Sequence, residues 1–277
     1  MGLRSFESSI VCLKSLIDSL SPTKLIIHLD GSVNDQAKEK IVLELKSKVE
    51  FVSKKYADEL VGNLLKNRPV CRNFRDTNVL GAKIFDIIAI NPDSSLIYFD
   101  SDIYFNQLVN ISDLVESKSL VFMEDKKSSY SLRPWDYSLF KKNSVPRRVN
   151  TGMIIAKNFL LDLDFIEWLL GVLLNNAISH KRPYWLEQTV WAFLAGRVGE
   201  VRLVGEPFIG FPTAGSTRKC LSKYSAVHFV STYRDQLKLM EPFGFASDET
   251  ARWHSKPGSP LLAWNILFDD LKNRFKW

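Results

Sequence analysis

The run Leu96-Ile97-Tyr98-Phe99-Asp100-Ser101-Asp102-Ile103-Tyr104-Phe105 places two carboxylates, one residue apart, at the end of an apolar stretch. Consecutive apolar and aromatic residues without helical spacing read as a buried strand. Carboxylates at the end of such a strand are costly to desolvate unless a cation or hydrogen-bond donors meet them. Oxygen ligands suit Mg²⁺ or Mn²⁺, ions that keep positions open for phosphate oxygens. Asp100 and Asp102 are therefore candidate ligands of a divalent metal. The competing reading is a strand ending in a loop whose aspartates cap the next element, and so short a string does not decide between the two.

Other residues could serve the same chemistry. His228 sits in or at the end of the apolar run 226–230, and Arg234 follows six residues on, in a polar turn. A histidine can complete an octahedral site with two aspartates, and an arginine near it can hold the far phosphate of a diphosphate; a lone histidine in a strand is otherwise a satisfied core residue. Asp30-Gly31-Ser32 lies just past a strand end, the rim where parallel α/β sheets bind ligands, and equally has turn composition. Lys83, on the helix before the Asp-x-Asp strand, is either a phosphate contact at that rim or a solvated lysine. Asn150-Thr151-Gly152 precedes the apolar run 153–156: the two polar side chains could bond a polyhydroxylated ligand while Gly152 admits a close backbone, or the trio is a turn. Glu187-Gln188 opens a helix and would suit sugar hydroxyls or simply solvate the helix start.

The elements that must position these groups follow from periodicity. Apolar spacing predicts helices over Ser8 to Leu20, Asn34 to Lys48, Tyr56 to Lys66, Thr77 to Ile90, Phe159 to Asn176 and Trp185 to Ala195. Strands are predicted at Lys24 to Leu29, Val49 to Ser53, the Asp-x-Asp strand, Ser119 to Phe122, Val149 to Ala156, Val201 to Val204 and Ala226 to Val230. Strand, helix, strand in that order is the grammar of a parallel sheet covered by helices. Ser128 to Arg148 has no clear period and reads as a loop over one face. No repeat or linker marks a boundary, so the reading is a single α/β domain over residues 1–277 with an aromatic tail at 241–277.

With 277 residues, 45% hydrophobic and 25% charged, the chain can bury a substantial core. A net charge of +6 and a pI near 9.1 favour anionic partners without choosing among them, and the basic residues are scattered, which argues against a nucleic-acid arm. Cys12, Cys71 and Cys220 form neither a disulfide framework nor a zinc set, so a reducing, cytoplasmic compartment is expected. No apolar stretch reaches the ~20 residues that cross a bilayer, and contact with a membrane would be peripheral. The start carries no signal-peptide pattern.

Taken in chain order, these segments resemble the nucleotide-sugar-dependent glycosyltransferases of the GT-A fold, most closely the retaining group of glycogenin and bacterial lipopolysaccharide galactosyltransferases (family 8-like), over residues 8–235. The resemblance implies that Asp100-Ser101-Asp102 is the metal-binding Asp-x-Asp that holds Mn²⁺ and the donor diphosphate. It implies that Lys83 stands where the family has an arginine contacting donor sugar and phosphate. Asn150-Thr151-Gly152 resembles an Asn-[Ala/Ser]-Gly segment, and Glu187-Gln188 an Asp-Gln pair near the donor sugar. His228 to Arg234 is similar to a His-x-x-Gly-x-x-Lys motif, whose histidine is the third metal ligand and whose lysine binds the diphosphate. Asp30 is similar to a nucleotide-contacting aspartate. Ser231 replaces that glycine, Arg234 replaces the lysine, a closing Pro-Trp is absent, and the family's first strand has no counterpart ahead of Ser8.

The implied activity is transfer of a sugar from a nucleoside diphosphate, uridine first, to a hydroxyl acceptor. A retaining reaction needs no general base and leaves Glu187 and Gln188 to position the sugar; an inverting one makes Glu187 the first candidate base. Two rivals stay open. One is a haloacid-dehalogenase phosphohydrolase, whose hhhh-Asp-x-Asp string makes Asp100 a nucleophile and Asp102 an acid/base, with Asp269 and Asp270 near the end. The other is a non-catalytic module that binds a sugar nucleotide. Trp253, His254, Trp264, Phe268, Phe275 and Trp277 in the tail could pack as core, close over a donor, or meet an acceptor or membrane.

Overall fold

Phe6, Ile10, Leu13 and Leu16 recur at helical spacing and lie buried on one face of helix Phe6–Leu20 in the computed structural model, which describes residues 1–46, 49–90, 95–157, 160–176, 183–263 and 265–266. The helix ends where Ser21 turns left-handed (φ 45°) and donates its amide to Ile17, ahead of Pro22. The chain forms two compact units that alternate along the sequence. The first comprises Met1–Glu59, Phe99–Leu114 and Val204–His254; the second comprises Leu60–Tyr98, Val115–Leu203 and Ser255–Trp277.

In the first unit, strand Leu25–His28 pairs in parallel with Val49–Val52, and helix Asp35–Leu45 makes the crossover, capped where the Asn34 side chain accepts the Ala37 amide. Ile27, Leu29, Ile41 and Leu45 pack with the first helix into one core. A second core gathers Cys12, Tyr104, Val227, Phe229 and Met240 beneath strands Ile103–Phe105 and Ala226–His228, which pair antiparallel. Ala226–His228 also pairs in parallel with Ile209–Gly210, and Leu108–Asn110 with Thr250–Arg252. Trp253 is wholly buried and stacks on Phe105 with ring centroids 5.8 Å apart, so that member of the aromatic tail is core; His254 stays exposed against Phe208. The tail residues Trp264, Phe268, Asp269, Asp270, Phe275 and Trp277 lie outside the described residues.

The second unit holds a five-stranded sheet in the order Lys256–Pro257, Val201–Val204, Leu120–Glu124, Val149–Lys157, Ser95–Phe99. Leu120–Glu124 and Val149–Lys157 run antiparallel. The sheets are thus partly parallel and partly mixed or antiparallel, and several small sheets stand where one mostly parallel sheet is expected: the strand–helix–strand grammar holds at the start of the chain, while later strands are brought side by side by returns that no local period announces. Helices Leu163–Asn175 and Leu186–Val198 supply much of its core, including Leu169, Leu173, Val190 and Phe193. Gly196 lets the second of these pass close to the backbone of strand Ser144–Pro146; a Cβ there would stand 1.7 Å from the Ser144 carbonyl oxygen.

Two further expectations change. Helix Pro69–Thr77 occupies a stretch left without an element, and the expected Thr77 to Ile90 helix is a short turn at Val79–Gly81 followed by Ala82–Ile90. Ser128 to Arg148 is not a loose excursion: it contains the 3₁₀ segment Pro134–Phe140 and the strand Ser144–Pro146, nailed down by buried Tyr130, Leu132, Tyr137, Phe140 and Val145.

Candidate metal centre

Strand Ser95–Phe99 delivers the chain into a turn at Asp100-Ser101-Asp102, closed by the Ile103 amide donating to the Asp100 carbonyl at 3.3 Å. The antiparallel register then sets His228 opposite Ile103, and the Phe229 amide donates to the Asp102 carbonyl at 2.9 Å. Backbone pairing alone therefore places the imidazole beside both carboxylates. His228 Nε2 is 3.1 Å from Asp102 Oδ1 and 3.7 Å from Asp100 Oδ2. Arg234, carried by the 3₁₀ segment Ser231–Met240, donates its Nε to Asp102 Oδ2 at 2.8 Å. His228 is 2% exposed, whereas the Arg234 side chain is 53% exposed. Burial by itself would raise the Asp102 pKa; the charges and hydrogen bonds of His228 and Arg234 outweigh it and hold the carboxyl well below the usual range.

The first helix steadies this turn from one side. Its buried serines face the segment that carries the aspartates: Ser9 Oγ meets Ser101 Oγ at 3.2 Å, Ser15 Oγ accepts the Phe105 amide at 3.0 Å, and Ser19 Oγ donates to the Gln107 carbonyl at 2.8 Å. These serines were missed as positioning residues, although small hydroxyl residues at 9, 15 and 19 among the apolar positions of an amphipathic helix were the visible signal. Phe211, also missed, lies with its ring 5.8 Å from that of His228.

Among the described residues Asp100, Asp102 and His228 form the one group of three or more metal-ligating side chains, each offering an atom within 4.8 Å of the others. Ligands of an octahedral Mg²⁺ bonded at ~2.0–2.1 Å in adjacent positions are ~3 Å apart, close to the separations about Nε2. An ion taken up by Asp100, Asp102 Oδ1 and His228 Nε2 leaves the Arg234 bond to Oδ2 intact, so the residues present fit a divalent cation. His228 would then carry its proton on Nδ1, which is buried and has no hydrogen-bond partner among the described residues.

Asp30, in the same unit, closes its own turn: Oδ1 accepts both the amide and the hydroxyl of Ser32, at 2.9 and 2.6 Å, around Gly31 at φ 91°. The other candidates belong to the second unit. Lys83 Nζ stands 5.3 Å over the Tyr98 ring. Asn150-Thr151-Gly152 is not a turn ahead of a strand but part of strand Val149–Lys157, where Asn150 Oδ1 accepts the Gly152 amide at 2.9 Å. Thr151 Oγ1 donates to Glu187 Oε2 at 3.0 Å, and Gln188 Nε2 donates to the Ser129 carbonyl at 2.8 Å, so the structure brings the strand and helix candidates of this unit together. Glu187 is buried rather than solvating a helix start. No helix among the described residues is long and apolar enough to cross a membrane. No protein-family model matches this chain, and no curated protein matches it.

Proposed function

We propose that the chain is a metal-dependent glycosyltransferase that moves a sugar from a nucleoside-diphosphate sugar, with uridine-diphosphate sugars as the first donors to test, to a hydroxyl acceptor. The observation that carries the reading is the convergence of Asp100, Asp102 and His228, from segments 126 residues apart, on one point at the end of an apolar strand. The residues would hold Mn²⁺ or Mg²⁺, which when bound offsets charge developing on a departing diphosphate. Arg234 uses only Nε on Asp102; its two Nη groups have no partner among the described residues and suit the outer phosphate. Asp30 and Ser101, which belong to the same unit as the cluster, are assigned to donor binding.

A second reading has one specific observation behind it. Both oxygens of Asp102 already meet protein donors, so the cluster can also stand as a self-neutralised polar network in a module that binds without catalysis. Release of UDP from UDP-glucose, UDP-galactose and UDP-N-acetylglucosamine separates the two. The transferase reading expects slow, Mn²⁺-dependent release that Asp102→Ala abolishes; metal-dependent binding of UDP without release from any donor assigns the module.

A further inference from the structure

Segment Pro134–Phe140 presents two opposite faces. Tyr137 and Phe140 point into the core, where Phe140 meets Phe193 and Trp168 at centroid distances of 4.7 and 6.3 Å. Trp135 is 62% exposed and Leu139 46% exposed, four residues apart on the same segment. Trp168, on helix Leu163–Asn175 and in ring contact with Phe140, is itself 46% exposed. The platform is held stiffly: Arg133 grips both oxygens of buried Asp136 at 2.8 and 2.7 Å and lays its guanidinium 4.9 Å from the Trp135 ring.

Basic side chains predominate along this segment, one of them, Arg148, being matched by Glu124 just ahead of it. Lys141 and Lys142 follow directly, both exposed and without an ion pair among the described residues. From residue 126 to 148 the sequence carries seven basic side chains against one acid, Asp136, which Arg133 already matches. The acids of the adjoining helix are also occupied: Asp164 pairs with Arg68, and Glu167 accepts the Val70 and Cys71 amides. Exposed tryptophans belong at the boundary between water and hydrocarbon, and lysines beside them complement anionic headgroups.

We propose that Trp135, Leu139 and Trp168, flanked by Lys141 and Lys142, form a peripheral docking face for an anionic phospholipid bilayer. This inference is independent of the reaction assigned above. Trp135 and Leu139 enter the headgroup boundary while the two ammonium groups lie against lipid phosphates. The attraction weakens as salt rises, because exposed charges are screened.

The test is flotation of the full chain with phosphatidylcholine vesicles lacking or containing phosphatidylglycerol, together with quenching of tryptophan fluorescence by lipids brominated on the acyl chain. Binding is expected only with phosphatidylglycerol. It should weaken at least about twenty-fold in the Lys141→Glu/Lys142→Glu pair, following the loss of two surface-attracted charges. Acyl-chain quenching should fall in Trp135→Ser. These side chains are exposed, so both variants are expected to keep the wild-type melting temperature. No flotation on anionic vesicles, or equal flotation of wild type and the lysine variant, would overturn the proposal. So would a concentration-dependent dimer lost in Trp135→Ser, which would assign the face to a second copy of this chain.

Discussion

His228 and Arg234 share the two oxygens of Asp102 under different conditions of solvent. His228 is buried, so its loss exposes no water to the carboxylate from that side, whereas Arg234 is half in solvent and water replaces it readily. Without metal, His228→Ala is expected to destabilise the chain by about 2–3 kcal/mol and Arg234→Ala by less than about 1 kcal/mol, read by urea unfolding. Equal effects would contradict the described geometry. At this scale the sequence was informative where type and spacing coincide: Asp100, Asp102 and His228 were each visible as candidate ligands, and the structure gathers them. The Arg234 bond to Asp102 was not legible, because no spacing reveals that a guanidinium six residues beyond the histidine returns to the same carboxylate. For Glu187 the sequence left contact with sugar hydroxyls and solvation of a helix start both open; its burial against Thr151 depends on a strand 36 residues away, which no local feature displays.

Elements announce themselves when they carry their own apolar period. Phe6–Leu20, Asp35–Leu45 and Leu163–Asn175 do, and each lies close to its predicted position. Helix Pro69–Thr77 carries only a brief one: Cys71 and Phe74 are its buried residues, and Arg72, Asn73, Arg75 and Asp76 give it a polar cast. Its first amides are satisfied from outside by Glu167, a cap that local sequence does not display. Helix Leu163–Asn175 has its cap in view, since Asp162 accepts the Phe165 amide at 2.9 Å and pairs with Arg197. Partial burial would raise the Asp162 pKa, but those donors win and lower it. A carboxyl with a depressed folded-state pKa contributes stability above its unfolded value, ~3.9, and loses that contribution as pH falls through the folded-state value. Asp162→Asn should therefore keep the cap yet flatten the acid limb of a stability–pH profile. Asp162→Ala should cost about 1 kcal/mol at neutral pH, measured by denaturant unfolding. An unchanged acid limb in Asp162→Asn would remove the carboxylate from the account.

The whole chain folds into two units from alternating segments, which explains why composition showed no boundary: three separate stretches build each unit, and no single linker divides them. The α/β class was legible because helices and short strands alternate from the start. Sheet order was not, since pairing such as Ile103–Phe105 with Ala226–His228 joins residues over a hundred positions apart. That same long-range pairing creates the candidate centre, so the cluster of possible ligands is a property of the folded chain and not of the Asp-x-Asp string. The most direct test is titration of Mn²⁺ into the full chain, followed by electron paramagnetic resonance with and without UDP, for wild type, Asp102→Asn and His228→Ala. The account predicts saturable Mn²⁺ binding that UDP tightens and that both variants weaken at least about tenfold. Failure of Mn²⁺ to bind in the presence of UDP, or equal affinity in all three proteins, would contradict it.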